Sequence, residues 1–139
     1  MDSVKQEYIF ELYQNVEILE RKWIKYWNQN NQIGLSKSHI KILGILDANG
    51  SQRPSKLAED LNITTGGITV LTNKLLDEGY ISRTEDGRDR RVVNLEITSL
   101  GEDTLSLAQK EINLLTEKMF GNLTQKEVQT LVSLLRKLL

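Results

Sequence analysis

The stretch from residue 57 to residue 98 constrains the fold most, because the spacing of its apolar residues changes partway along. In its first half they recur every three or four positions, the period of amphipathic helices, with Asn62 and Gly79 as expected stops. The second half holds YISRT and the alternating run VVNLEI, typical of strands, around an expected turn at Asp86-Gly87. The stretch therefore predicts two short helices followed by a β-hairpin.

The residues before this stretch also have the apolar spacing of helices. Apolar and aromatic residues spaced by three and four predict one long helix over residues 4 to 29. Ser36 is placed to cap a second helix, with Ile45 among its inward residues, that ends near Asn49-Gly50. Pro54 suits the first turn of the third helix, where its missing N–H needs no partner.

Two more helices are predicted after the hairpin. Thr98 can cap the fifth helix, and Gly121 is expected to end it. Thr124 and Glu127 have the spacing of a capping box, in which each side chain binds the other residue's backbone N–H, and they open a sixth helix.

The predicted order is a long helix, three helices, a hairpin and two helices. Three short helices followed by a β-ribbon are typical of a winged helix-turn-helix, in which the third of them reads DNA. We therefore predict a mainly α fold with a small β-hairpin. With 139 residues the chain is expected to form a single domain, 1–139. Within it we expect a winged helix-turn-helix lobe over 36–98, flanked by dimerisation helices over 4–30 and 99–139.

Composition narrows the functional classes. The chain has no cysteine, which excludes disulfides, thiolate zinc sites and cysteine nucleophiles. The sequence contains no run of about 18 apolar residues, the length that would predict a membrane span. Its N-terminus lacks the pattern of a secretory signal, so we expect a cytoplasmic protein. The formal net charge of −1 argues against a uniformly basic nucleic-acid binder, so local patches must decide.

The fourth helix carries the first such patch. Thr64 or Thr65 can cap it, and glycines at its beginning let backbone approach a phosphate at the positive end of the helix dipole. Its predicted outward side chains can hydrogen-bond to bases, and threonine methyl groups can contact thymine. The alternative is that the two glycines only mark a tight turn. The residues expected to contact DNA here are Thr64, Thr65, Gly66, Gly67, Thr69, Val70, Thr72, Asn73 and Lys74.

The hairpin carries the second patch. Arg83, Arg88, Arg90 and Arg91 lie within nine residues. Asp89 is two residues from Arg91, so both lie on one face of the ribbon, where the carboxylate can orient the guanidinium. An oriented arginine suits the narrow, negative minor groove of A·T-rich DNA. The alternative is a solvated hairpin with surface ion pairs of little energetic value.

Together these segments resemble a known family. LSKSHIKIL, LAEDLNITTGGITVLTNKLLDEGYISR and DRRVVNLEITSLG are similar, at matching spacing, to the multiple-antibiotic-resistance regulator (MarR) family of bacterial winged-helix transcription factors. The resemblance implies a dimer that binds pseudo-palindromic operator DNA and is often released by a small ligand. It places Asp89 and Arg91 at the wing tip and makes Thr65 to Lys74 the recognition helix. The sequence departs from the family at Val70, where many members carry a basic residue.

The terminal helices carry more apolar surface than a small central domain obviously covers, which predicts a homodimer. The alternative is that they complete a monomeric core. Aromatic residues of the first helix, among them Trp23 and Trp27, could line a ligand crevice, although their helical spacing favours core packing.

Other chemistry is sparse. His39 is the only histidine, so we expect a structural role for it, with no metal site, no cofactor and no enzymatic activity. The sequence predicts a dimeric, sequence-specific transcriptional regulator, with a ligand-responsive repressor favoured. Two alternatives remain: a winged-helix module that binds protein, and a metal-dependent DNA-binding sensor.

Overall fold

The computed structural model describes residues 2–86 and 89–139. Gly87, predicted as a turn residue, and Arg88, predicted to contact DNA, lie outside the described residues. The elements in chain order are α1 (Ser3–Asn30), α2 (Lys37–Asn49), α3 (Pro54–Leu61), α4 (Thr65–Asp77), β1 (Ile81–Asp86), β2 (Asp89–Ile97), α5 (Ser99–Phe120) and α6 (Gln125–Arg136). This order confirms the predicted mainly α fold with a small β-hairpin.

The chain divides into two compact units, with the boundary inside α5. The central unit comprises residues 31–110. The terminal unit comprises residues 1–30 and 111–139.

Local capping explains where the helices of the central unit begin and end. Ser36 caps α2 and forms a capping box with His39. Pro54 is the first residue of α3, and Asn62 ends that helix in the left-handed conformation with φ of 53°. Asparagine tolerates this conformation better than most residues because its short polar side chain can hydrogen-bond locally. These predicted boundaries are confirmed.

The core of the central unit joins α2, α3 and α4 to the hairpin. Leu95 of β2 is buried, and it also exchanges two backbone hydrogen bonds with Gln52, of 3.0 and 2.8 Å, in the loop between α2 and α3. The inward face of α2 includes Ile42, which is fully buried, whereas Ile45, expected to face inward, is only half-buried. The fully buried side chains of this core include Leu35, Ile42, Leu43, Leu46, Leu57, Ile68, Leu75, Ile81 and Leu95.

The hairpin is an antiparallel pair whose register aligns Ile81 with Ile97 and Glu85 with Val93. An irregularity lies between Glu85 and Asp86, and Asp86 then pairs with Asp89.

Thr98 and Gly101 connect the base of the hairpin to the end of α4. The Thr98 hydroxyl donates to the Gly79 carbonyl at 2.7 Å and accepts from the Gly101 N–H at 3.1 Å. The Thr98 N–H donates to the Tyr80 carbonyl at 3.1 Å. Gly79 has φ of 81°, as expected for the residue that follows a helix end. The prediction that Thr98 caps α5 is confirmed.

The terminal unit consists of α1, the second part of α5, and α6. Trp23 and Trp27 stack with ring centroids 5.7 Å apart, and the Lys118 ammonium lies 5.0 Å from the centre of the Tyr26 ring. The Thr124–Glu127 capping box is present as predicted. Across the described residues, no helix combines the length and apolar character that crossing a membrane requires.

We expect Gly101→Ala to lower the free energy of unfolding by about 1–3 kcal/mol, the usual cost of inserting a methyl group into packed surroundings. A Cβ at Gly101 would lie 2.1 Å from the Tyr80 carbonyl oxygen and 2.7 Å from Cγ1 of Ile97. Urea denaturation followed by circular dichroism measures the change.

Gly44→Ala is the matched control, because Gly44 lies inside α2 and a Cβ there would meet nothing within 4 Å. Alanine should raise stability there by up to about 1 kcal/mol through its higher helix propensity. Equal effects of the two substitutions would contradict a specific close approach at Gly101.

Candidate nucleic-acid interface

The first turn of α4 offers exposed backbone. Thr64 caps the helix, and its hydroxyl accepts from the Gly67 N–H at 3.0 Å. A Cβ at Gly67 would lie 3.2 Å from the Thr64 hydroxyl oxygen, whereas one at Gly66 would lie 3.9 Å from it. The close approach of the capping hydroxyl thus explains why residue 67 is a glycine. At residue 66 there is room for a side chain, so packing does not explain the glycine there. Exposed glycine backbone at a helix N-terminus can approach a phosphate closely.

The outer face of α4 is exposed and carries no charge over its first nine residues. Thr65, Gly66, Thr69, Val70 and Asn73 are exposed, and Gly67 is half-buried. The Thr69 hydroxyl donates to the Thr65 carbonyl at 2.9 Å, which fixes its rotamer and leaves the methyl group and an oxygen lone pair for other contacts. This face has both the hydrogen-bonding groups and the small size that a groove-reading helix needs.

Thr72 does not belong to this face, and the expectation that it points outward is wrong. It is only 4% exposed, and its hydroxyl donates to the Ile68 carbonyl at 2.8 Å. The reason is helical geometry. Thr72 lies four residues after Ile68 and three before Leu75, so it shares their buried face.

Lys74 is half-buried and makes a contact within the central unit. Its ammonium donates to the Gly34 carbonyl at 2.9 Å and so ties α4 to the loop that precedes α2. The Asn31 carboxamide organises that loop, because its oxygen accepts from the Ile33 and Gly34 N–H groups at 2.9 and 3.2 Å and its nitrogen donates to the Leu35 carbonyl. Gly34 itself has φ of 80°, which favours glycine. Sequence reasoning missed this contact. The only local signal is the amide-rich run NQNNQIG, residues 28–34, which breaks the helical pattern before α2.

His39 lies close to the same contact. The Ser36 N–H donates to its Nδ1 at 3.0 Å, and the Ser36 hydroxyl accepts from the His39 N–H at 3.3 Å. Burial and the positive charge of Lys74 lower the pKa of His39, and the Glu78 carboxylate opposes the change. The predicted structural role of His39 is confirmed. In the part of the chain that the structure describes, no three side chains of the metal-binding types are grouped as ligands.

The hairpin contributes Arg83, which is exposed on β1. Asp89, Arg90 and Arg91 lie on β2, and their side chains fall outside the described residues, as does all of Arg88. Their roles therefore stay predictions from the sequence.

Comparison with known proteins identifies the family. A sequence model described as the MarR family matches residues 35–93, which include the helix-turn-helix and most of the hairpin. The uncharacterised HTH-type transcriptional regulator YpoP of Bacillus subtilis is 31% identical over 128 residues, which are 89% of this chain and 91% of that protein. The chain belongs to the MarR family of transcriptional regulators. The multiple antibiotic resistance protein MarR of Salmonella typhimurium is 28% identical over 113 residues, covering 81% of this chain and 78% of that protein.

Solved structures share the fold of this MarR-family chain. The transcriptional regulator BldR from Sulfolobus solfataricus superimposes with a TM-score of 0.80 at 26% identity, covering 99% of this chain and 97% of that one. A cysteine-to-serine mutant of MarR from E. coli, complexed with operator DNA, superimposes with a TM-score of 0.81 at 23% identity. That comparison covers 100% of this chain and 99% of the other. The winged-helix prediction is confirmed.

We expect the protein to lose stability as pH falls below the ordinary histidine pKa of 6.5. The folded chain resists protonation of His39, because burial disfavours the charge and Nδ1 is needed as the acceptor for the Ser36 N–H. The unfolded chain protonates normally. Neutral His39 therefore contributes its full stability above pH 6.5. That stability is lost as the pH falls toward the pKa of His39 in the folded chain, which lies below 6.5. Urea denaturation at several pH values between about 5 and 8 measures how the free energy of unfolding changes with pH.

His39→Gln provides the control. Glutamine at this position keeps a side-chain acceptor for the capping box but does not titrate. Because His39 is the only histidine, the substitution removes all imidazole titration from the chain. Identical pH dependence in the two proteins would show that other groups cause it.

Proposed function

We propose that this MarR-family chain forms a homodimer that binds pseudo-palindromic operator DNA and represses transcription until a small-molecule effector lowers its DNA affinity. The observation that carries the proposal is the exposed, uncharged outer face of α4, which begins at open glycine backbone. Family membership supports the same conclusion. The proposal assigns the chain no enzymatic reaction and places it in the cytoplasm, where operator DNA is found.

In this proposal α4 enters the major groove. Thr64, Thr65, Gly66 and Gly67 lie at its N-terminus, where backbone N–H groups and the helix dipole favour a phosphate. Thr69, Val70 and Asn73 face the base edges. Thr72 is left out because it is buried, and Lys74 becomes a positioning residue because its ammonium binds the Gly34 carbonyl.

The hairpin serves as the wing. Arg91 enters the minor groove with Asp89 orienting its guanidinium, as the sequence and the family resemblance suggest. Arg83, Arg88 and Arg90 supply further positive charge for phosphate contacts.

The homodimer is supported by apolar surface on the terminal unit. No residue of α6 is buried, although its apolar residues recur at helical spacing. Their burial against a second copy would remove this surface from water and set two recognition helices roughly 34 Å apart, about one duplex turn. The exposed apolar side chains of α1 and α6 include Val4, Tyr8, Ile9, Phe10, Leu12, Tyr13, Val16, Ile18, Leu19, Ile24, Val128, Leu131, Val132, Leu134 and Leu135.

An effector would act on this dimer by changing the separation of the two DNA-binding lobes. Two lobes that no longer match successive major grooves lose their simultaneous contacts, and affinity falls. An electrophoretic shift with and without candidate ligands tests this step.

We expect the purified protein to select specific duplexes from a random double-stranded library and to bind them in a salt-dependent manner. Arg91→Ala should weaken binding to a selected duplex by about tenfold or more per half-site, because a charge-assisted contact is lost. It should also make the negative slope of log affinity against log salt shallower by about one unit per half-site. Fluorescence anisotropy at several salt concentrations measures both quantities.

Lys74→Met is the matched comparison, since both variants remove one positive charge. If Lys74 positions α4 through the Gly34 carbonyl, affinity should fall with an unchanged salt slope. A slope reduced as much as in Arg91→Ala would instead make Lys74 a phosphate contact. Failure of the wild-type protein to select any sequence would favour the protein-binding module. Loss of binding on adding a chelator would favour the metal-dependent sensor.

We expect a Leu131→Lys/Leu135→Lys double variant to be monomeric and to lose operator binding. Both leucines are exposed in the single chain, so the substitutions should not disturb its own fold. At an interface, however, they would bury unpaired ammonium groups. Light scattering after size exclusion measures the mass.

Ser133→Lys is the control, because Ser133 lies about 200° around α6 from each leucine and is also exposed. It should remain dimeric. A dimeric double variant with full DNA affinity would contradict a role of this face in assembly.

A further inference from the structure

Gly66, Thr69, Val70 and Asn73 form a single stripe on α4. They stand at positions i, i+3, i+4 and i+7, which lie on one face of a helix, and all four are exposed. No residue from Thr65 to Asn73 is charged. The next residue, Lys74, directs its ammonium to the Gly34 carbonyl. The groups available for base contacts along the stripe are therefore methyl groups, one hydroxyl oxygen and one carboxamide.

This set of groups matches A·T pairs better than G·C pairs. In the major groove guanine presents two acceptors, which Arg or Lys donors read best, and the stripe has neither residue. Adenine presents an acceptor beside a donor, the pattern that the carboxamide of Asn73 complements. Thymine is distinguished by its C5 methyl group, which an apolar side chain recognises.

Val70 is the apolar side chain placed for that contact. It is 71% exposed, more than Leu107 at 56% or Leu100 at 50%, the next most exposed large apolar residues between 31 and 110. Valine branches at Cβ and is nearly restricted to one rotamer in a helix, so its two methyl groups point in a fixed direction. Its branching also lowers helix propensity, and its exposure means that it gains little from burial. Folding of α4 gives no reason for valine at this position.

We propose that Val70 reads a thymine methyl group and that Asn73 reads an adenine close by, so that α4 selects A·T pairs at the core of each half-site. The proposal rests on the DNA-binding function proposed above and specifies the sequence class that the protein selects. Side chains three apart on a helix have Cβ atoms about 5–6 Å apart, and base pairs stack every 3.4 Å or so. The two residues therefore meet base pairs that are one or two steps apart.

The test uses a duplex that the full-length protein selects from a random library. Each thymine in a half-site is replaced in turn by deoxyuridine, which keeps base pairing and removes only the C5 methyl group. For one position we expect the wild-type protein to lose about fourfold in affinity per substituted half-site, the effect of removing one buried methyl group. Val70→Ala should bind the unmodified duplex more weakly and show no further loss with deoxyuridine there.

Asn73→Ala is the control for this cycle, because it should weaken binding yet keep the fourfold response to deoxyuridine. Thermal melting by circular dichroism verifies that both alanine variants remain folded. The proposal is overturned if no deoxyuridine substitution changes the affinity of the wild-type protein. It is also overturned if Val70→Ala loses as much affinity with deoxyuridine as the wild-type protein does. Either result leaves DNA binding itself intact. Only the absence of any selected duplex would also overturn the proposed function.

Discussion

The DNA-binding lobe depends on the close approach of α5 to the turn between α4 and β1. Gly101 allows this approach because any Cβ there would collide with the Tyr80 carbonyl oxygen at 2.1 Å. The Thr98 hydroxyl completes the junction by joining the Gly79 carbonyl to the Gly101 N–H. The end of α4, both strands and the start of α5 meet here, so the junction orients the hairpin with respect to the recognition helix. A wing and a reading helix can contact successive grooves only if their relative orientation is held in this way.

A second contact ties α4 to the segment that precedes α2. Lys74 reaches the Gly34 carbonyl. Burial and the Lys74 charge lower the pKa of His39, whose Nδ1 accepts from the Ser36 N–H in the capping box of α2. The Lys74 contact ties α4 to the loop that precedes α2, and the helix carries no charge from Thr65 to Asn73. In the function proposed above, sequence specificity comes from methyl and amide groups on α4, whereas electrostatic attraction comes from the arginines of the hairpin. The division agrees with a net charge of only −1, since the positive charge needed for DNA is local.

Exposed apolar side chains dominate the terminal unit. α6 buries none of its residues within the single chain, although a capping box defines its start. A helix whose apolar face remains in water gains little stability from its own chain, because most helical stability comes from packing that face. The proposed association of two copies would cover this face and would also let the regulator recognise two half-sites.

Local signals in the sequence determined the helix and strand order and most boundaries, because capping residues and glycine act within a few residues. The structure confirms the helix caps and the helix end that were predicted at Ser36, Asn62, Thr64, Thr98 and Thr124. The face on which a side chain lies was decided by packing. Thr69 and Thr72 are three residues apart and chemically identical, yet only Thr72 falls between Ile68 and Leu75 against the core. The partner of Lys74 lies 40 residues away in sequence, beyond the reach of any local pattern. The sequence thus determined which residues could meet DNA, and only the tertiary structure decided which of them remain exposed, because burial depends on distant segments that the chain brings together on folding.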